Sequence, residues 1–139
     1  MTSVDFFAHW ESWFLVDFRP DAMERSFALF SRVIQAPGVR WLRRPPERVL
    51  FGPGIARTER PGPQMRMEPQ LPAVMTGCHV LVILETAPPE LAARARAQAV
   101  AAATPVLDVG SANVEQRARA WLELYYRPSQ WEARRRKET

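Results

Sequence analysis

HVLVIL (79–84), PPELAARARAQAVAAA (88–103), PVLDV (105–109) and NVEQRARAWLELYY (113–126) follow one another along the chain and decide its fold class. The first and third segments are short apolar runs, whereas the second and fourth have the spacing of helices. Two strands joined through a helix pair in parallel, because the helical crossover brings the second strand alongside the first. The sequence therefore predicts an α/β fold with a C-terminal β-α-β-α unit.

The length of the chain, 139 residues with 47% apolar residues, is typical of one folded domain. We predict a single α/β domain over residues 1–139 that is built on one mixed sheet. Its expected parts are a helical N-terminal part (1–36), a Pro/Arg-rich β and loop segment (37–72), the β-α-β-α unit (73–127) and a basic C-terminal tail (128–139).

The N-terminal part is expected to contain a pair of helices. Residues 4–18 are mostly apolar, and Asp5, His9 and Ser12 recur at the spacing of a polar helical stripe. An alternative is a strand over residues 13–18. Residues 22–36 have one apolar stripe at helical spacing and end at Pro37 and Gly38, which predicts the second helix.

The middle segment, residues 37–72, contains eight of the 13 prolines, and their spacing excludes a long helix. Residues 48–59 are expected to form a hairpin that reverses at Gly-Pro-Gly (52–54). Residues 64–68 alternate Met with polar residues, as a half-buried edge strand does. A loop over residues 58–72 is the alternative.

Composition excludes several classes of protein. Cys78 is the only cysteine and there are two histidines, so we expect neither a disulfide nor a metal site. The first loop of the β-α-β-α unit, ETAPPE, has no glycine, which argues against a dinucleotide-binding fingerprint, and we expect no cofactor. The N-terminal residues do not have the pattern of a signal peptide, and no apolar run reaches the length of a membrane span, so we expect a cytoplasmic protein that makes no membrane contact.

Aromatic residues are concentrated near the N-terminus beyond what the fold requires. One hypothesis is that they anchor a protein partner, since Trp and Phe are enriched at interfaces. The alternative is that they are core residues. The residues of this predicted partner surface are Phe6, Phe7, Trp10, Trp13 and Phe14.

Basic residues are concentrated in the middle of the chain, where residues 37–70 hold seven arginines against three acidic residues. Arginines interleaved with an aromatic residue are typical of surfaces that bind phosphates and stack bases. A solvated loop, or a patch that binds an acidic protein, is the alternative. The predicted patch comprises Arg40, Trp41, Arg43, Arg44 and Arg48, with Arg134, Arg135 and Arg136 of the tail.

The carboxyl ends of the two C-terminal strands are the expected place for a small ligand, because ligands of open α/β sheets lie there. Glu85 follows the first strand, and Asp108, Gly110 and Ser111 follow or end the second. Backbone N–H groups at the start of the last helix could bind an anion. The alternative is a tight turn at Gly110 with a helix cap at Ser111 or Asn113.

Three hypotheses for the function result. The first is a non-enzymatic accessory or adaptor subunit of a larger cytoplasmic assembly, which binds a protein partner or a further copy of itself through the N-terminal aromatics. The second is a nucleic-acid-binding protein that uses the arginine patch and the tail. The third is a small enzyme that acts on a nucleotide-like or phosphorylated ligand at the strand ends.

Overall fold

The computed structural model describes residues 10–34, 52–60 and 64–126, which form five strands and three helices. In chain order these are β1 (Trp10–Asp17), α1 (Met23–Ile34), β2 (Pro53–Arg60), β3 (Gln64–Glu68), β4 (Val80–Leu84), α2 (Pro89–Ala101), β5 (Val106–Val109) and α3 (Val114–Tyr126).

The five strands form one mixed sheet in the order β3-β2-β1-β4-β5. β1, β4 and β5 are parallel to one another, whereas β2 is antiparallel to both β1 and β3. The α/β class and the mixed sheet are therefore confirmed. The β4-α2-β5-α3 succession also agrees with the predicted β-α-β-α unit, with α2 as the crossover between parallel strands.

The prediction of a helix over residues 4–18 is wrong, because residues 10–17 form the central strand β1. All eight residues of β1 are buried. A strand that is covered on both faces is apolar at nearly every position, and such a run also satisfies a helical apolar pattern. The alternative, a strand over residues 13–18, is correct for residues 13–17, and the strand begins three residues earlier, at Trp10. Residues 4–9 lie outside the described part of the chain.

Two apolar layers cover the sheet. On one face, α1 and α3 pack over β1 and β4, and Phe14, Phe30 and Trp121 are fully buried there. On the other face, α2 packs with Ala95 and Ala99 against the sheet, and both have no exposed surface.

The predicted hairpin apex at residues 52–54 is also wrong. Phe18 N donates to Gly52 O at 3.0 Å, which continues the pairing of β1 with β2 through this position. The chain reverses instead between β2 and β3, after residue 60. The edge strand over residues 64–68 is confirmed as β3, and the alternative of a loop throughout 58–72 is wrong for residues 58–60 and 64–68.

Phe14 offers a direct test of the core interpretation of the N-terminal aromatics. Its ring lies edge-on to Phe30, with 4.8 Å between the centroids. We expect Phe14→Ala to lower the free energy of unfolding by about 3–5 kcal/mol, because a large buried side chain leaves a cavity. Urea unfolding measures this change. Val100→Ala, at an exposed position, should change it by less than about 0.5 kcal/mol. A similar small effect of Phe14→Ala would contradict the burial.

Candidate functional site

The carboxyl ends of the parallel strands β1, β4 and β5 meet at one edge of the sheet. Asp17 ends β1, Glu85 directly follows β4, and Gly110 directly follows β5. The helix after β4 lies on the opposite face of the sheet from α1 and α3, which follow β1 and β5. Connections that leave to opposite faces form the crevice in which open α/β sheets bind ligands.

Glu85 and Ser111 form the centre of this edge. Ser111 Oγ donates to Glu85 Oε1 at 2.7 Å, and Ser111 N donates to the same oxygen at 3.3 Å. Arg25 Nη2 lies 3.6 Å from it. The hydrogen bonds from Ser111, together with the charge of Arg25, hold the pKa of Glu85 below its ordinary value.

Because Gly110 has no side chain, it leaves space for the Glu85 carboxylate. A Cβ atom at this position would lie 2.7 Å from Glu85 Oε2, so a larger residue would push the carboxylate away. Asn113 closes the same turn, because Gly110 N donates to Asn113 Oδ1 at 2.8 Å and Asn113 Nδ2 donates to Asp108 O at 3.2 Å. The predicted tight turn at Gly110 is present, and Asn113 stabilises it.

Asp108 does not join this centre. Its carboxylate forms a two-bond pair with Arg96 of α2, at 2.6 and 2.9 Å. The hydrogen bonds from Arg96 lower the pKa of Asp108. The structure therefore brings together three of the four predicted ligand residues, Glu85, Gly110 and Ser111, and directs the fourth toward α2.

Asp17 and Ser26 fix the β1 end of the edge. Arg19 Nε lies 3.0 Å from both carboxylate oxygens of Asp17, and Arg19 Nη2 lies 2.7 Å from one of them. Burial alone would raise the pKa of Asp17, but the hydrogen bonds from Arg19 outweigh it and the pKa is lowered. Ser26 Oγ lies 2.7 Å from both Asp17 O and Thr86 Oγ1. Since a hydroxyl has one hydrogen, Ser26 donates to the carbonyl and accepts from Thr86.

The edge is therefore occupied by its own side chains. The N–H group of Ser111, in the turn before α3, is one donor that a bound phosphate could use, and the Glu85 carboxylate already accepts from it. A phosphate placed there would have to displace a negatively charged group. This geometry favours the structural interpretation of Glu85, Gly110 and Ser111 over the anionic-ligand hypothesis.

A second polar cluster, which sequence reasoning missed, surrounds the buried carboxylate of Glu11. Trp13 Nε1 donates to Glu11 Oε1 at 2.9 Å, and one guanidinium nitrogen each of Arg57 and Arg66 lies 3.7 Å from that oxygen. Arg57 also pairs with Glu68 at 2.8 Å, and its guanidinium lies 4.1 Å from the Trp13 ring centroid. These side chains share one face of β1, β2 and β3, a juxtaposition visible only once the strand register is known.

Cys78 and His79 point to opposite faces of the sheet, as the sequence predicts for neighbours at a strand entrance. Cys78 is packed in the α2 layer, whereas His79 stacks on Trp10 at 4.6 Å and accepts a hydrogen bond from Glu11 N at its Nδ1. Burial, with a smaller contribution from Glu11, raises the pKa of the Cys78 thiol far above its ordinary value.

The predicted partner surface is only partly within the described residues. Trp10, Trp13 and Phe14 have at most 1% of their surface exposed, so these three offer no surface to a partner in this structure. Their burial favours the alternative that they belong to the core. Phe6 and Phe7 lie outside the described residues.

The predicted arginine patch also lies outside the described residues, and it stays a prediction. Its members there are Arg40, Trp41, Arg43, Arg44, Arg48, Arg134, Arg135 and Arg136. Two further arginines of the same basic stretch have described side chains, Arg57 and Arg66, and both lie beside carboxylates of Glu11 or Glu68.

An apolar cavity of about 270 Å³ lies between the loop that precedes β4 and the end of α2. Gln98 fixes its wall, because Gln98 Nε2 donates to Pro72 O at 2.8 Å and to Ala73 O at 3.3 Å. Val74, which lines the cavity, is 67% exposed. The lining residues are Ala73, Val74, Met75, Gln98, Ala101 and Ala102.

Comparison with known proteins found no matching family model, no matching curated protein and no matching solved structure. Within residues 10–34, 52–60 and 64–126, no group of three or more His, Cys, Asp or Glu side chains is placed to hold a metal ion. None of the helices described is both long enough and apolar enough to cross a membrane.

The contact between Ser111 and Glu85 predicts a change in titration. We expect Ser111→Ala to raise the pKa of Glu85 toward its ordinary value, measured by NMR of the side-chain carboxyl carbon. A carboxyl whose pKa is lower in the folded chain stabilises the fold above its unfolded pKa, and that contribution disappears as the pH falls through the folded pKa. The variant should therefore be less stable near neutral pH, and its difference from the wild type should shrink in acid.

Asp108 serves as the internal control for this titration. Its pKa should not change in Ser111→Ala, because Arg96 and not Ser111 holds it low. Conversely, Arg96→Ala should raise the pKa of Asp108 and leave that of Glu85 in place. An unchanged Glu85 titration in Ser111→Ala would show that the hydrogen bond does not form.

The environment of Cys78 predicts a thiol that does not react in the folded protein. Only the thiolate is nucleophilic, and both burial and the raised pKa suppress it. We expect an aromatic disulfide reagent to label Cys78 in urea-unfolded chain and to leave it unlabelled under native conditions. Absorbance of the released thiol measures the reaction, and rapid labelling of the native protein would contradict the burial.

Proposed function

We propose that this chain is a non-enzymatic accessory or adaptor subunit of a larger cytoplasmic assembly, and that it binds a protein partner at the apolar cavity between residues 73–75 and the end of α2. The observation that supports the proposal is the exposure of Val74 beside this cavity. A partner's aliphatic side chain placed in the cavity would remove apolar surface of both proteins from water, which is favourable. The lone cysteine supports the cytoplasmic location.

The cavity has the properties of a small anchor site. Its wall is made of alanines, Val74 and Met75, and the hydrogen bonds of Gln98 to the loop hold that wall in place. A site that is already formed before binding loses little conformational entropy when the partner arrives. Interfaces of this kind take most of their affinity from a few side chains in desolvated pockets.

The alternative of an enzyme at the strand ends has less support. The carboxylates of Asp17, Glu85 and Asp108 each pair with an arginine. Each has a lowered pKa, whereas a general acid or base near neutral pH needs a raised one. The described strand ends are therefore better suited to stabilising the fold than to proton transfer.

Val74 and Val100 form a matched pair for the test. Both are exposed valines, but Val100 lies two residues beyond Gln98 on α2, about 200° around the helix axis from it. We expect Val74→Asp and Ala101→Asp to weaken partner binding by about 30-fold, equivalent to about 2 kcal/mol at an anchor position. Val100→Asp should bind as the wild type does.

The measurement uses the wild type and the three variants as baits, followed by titration of the purified partner. Support requires one protein that the wild type and Val100→Asp retain and that the other two variants lose. Retention of the same proteins by all four baits, or by none above bare resin, would contradict the proposal. Far-UV circular dichroism confirms that each bait is folded.

A further inference from the structure

The outer edge of β3 carries backbone groups that the described sheet does not use. Phe18 N donates to Gly52 O, and antiparallel pairs alternate between bonded and non-bonded positions, so Arg57 of β2 directs its backbone groups toward β3. Arg57 faces Arg66, which therefore bonds back to β2. The N–H and C=O groups of Met65 and Met67 consequently point away from the sheet.

The side chains of β3 alternate in the same regular way. Met65 and Met67 lean against the core that contains α1 and α3, whereas Arg66 and Glu68 lie on the opposite face. The Arg66 side chain is 54% exposed and that of Glu68 is 36% exposed. One face of the edge strand thus carries a positive and a negative charge two residues apart.

We propose that a second copy of this chain pairs antiparallel with β3, about a two-fold axis at Met67. In this register Met67 lies opposite Met67 of the second copy, and the two residues exchange both N–H···O bonds. Arg66 lies opposite Glu68 of the second copy on the exposed face, and the reciprocal pair forms by symmetry.

Charge complementarity selects both the occupant and the register. Opposite charges directly across an antiparallel pair stabilise it, and like charges destabilise it. A register centred on Arg66 would place the two Arg66 side chains opposite each other, and one centred on Met65 would place Arg66 opposite the uncharged Gln64. Only pairing about Met67 gives two opposite-charge pairs, and a copy of the same strand supplies both of them.

Proline confines this pairing to β3. Prolines are common at sheet edges because they lack the N–H that a further strand needs. β3 ends at Glu68, and the chain bends at Pro69, which has no N–H to offer a further strand. A two-fold pair uses the same edge of both copies, so the assembly closes as a dimer and does not extend into a filament.

The test measures the dimer dissociation constant of the full-length chain by sedimentation equilibrium. We expect Arg66→Glu to raise it by about tenfold or more, because two like-charge pairs replace two opposite-charge pairs. Arg66 also lies beside Glu11, so circular dichroism must show that this variant and the double variant remain folded. The double variant Arg66→Glu, Glu68→Arg should restore it. Arg96→Glu, a charge reversal at an arginine that also forms an ion pair, and Val74→Asp at the cavity should both leave it unchanged.

Two further measurements keep the test independent of the charge variants. Amide hydrogen exchange at Met67 should slow as the protein concentration rises. Met67→Pro removes the central outward N–H and should abolish the dimer, while circular dichroism shows the fold retained. A monomer at all concentrations, a dimer without added protection at the Met67 amide, or a double variant that dimerises as poorly as Arg66→Glu would overturn the proposal.

Discussion

β1 lies between β2 and β4 and is covered on both faces, so its polar side chains need partners inside the protein. Ser12 is the clearest case, because its Oγ accepts from Trp10 Nε1 and Trp121 Nε1, each at 3.1 Å. An indole N–H that is buried without an acceptor is costly. The bond from Trp121 connects α3 to the middle of the sheet across 109 residues of sequence. One hydroxyl in β1 thus helps to set where α3 packs.

Glu11 imposes the corresponding constraint on the other face of β1. A buried carboxylate must be paired, and the positive charges beside it come from Arg57 of β2 and Arg66 of β3. Trp13 contributes an N–H to the carboxylate and its ring to Arg57. If β2 or β3 shifted by one residue relative to its neighbour, the arginine of that strand would turn to the opposite face of the sheet. The charge cluster therefore favours one register across all three strands.

Much of the fold could be predicted from the sequence wherever the apolar residues follow a single pattern, either that of a strand or that of a helix. The β4-α2-β5-α3 unit alternates clearly between apolar strands and helical spacing, and its parallel pairing follows from the crossover. β1 could not be assigned in this way, because a strand buried on both faces has no alternation to distinguish it from an apolar helix. The Gly-Pro-Gly stretch was wrongly predicted to be a turn, because glycine can also be required inside a strand. Gly54 is required because the backbone of Glu68 in β3 approaches it too closely for a Cβ atom.

The candidate sites were predictable to different degrees. Parallel strands end at one edge of a sheet, and this rule alone predicts that Glu85, Gly110 and Ser111 lie close together. Their mutual hydrogen bonds depend on side-chain reach and on the space that Gly110 leaves, which the sequence does not display. The cavity beside Val74 was harder still to predict from the sequence, because it is formed by alanines of α2 and a loop about 25 residues earlier in the chain. Small apolar residues are common on helices and do not by themselves indicate a site.

The charges at the carboxyl edge indicate what this part of the fold does. Asp17 pairs with Arg19 and Glu85 with Arg25, so each negative charge has a positive neighbour at the same edge. An anion would compete with Glu85 for Ser111, and a cation would compete with the arginines for the carboxylates. Ser26 links α1 to Thr86 after β4, and Glu85 links the end of β4 to the turn that precedes α3. The edge therefore joins helices on one face of the sheet to its central strands.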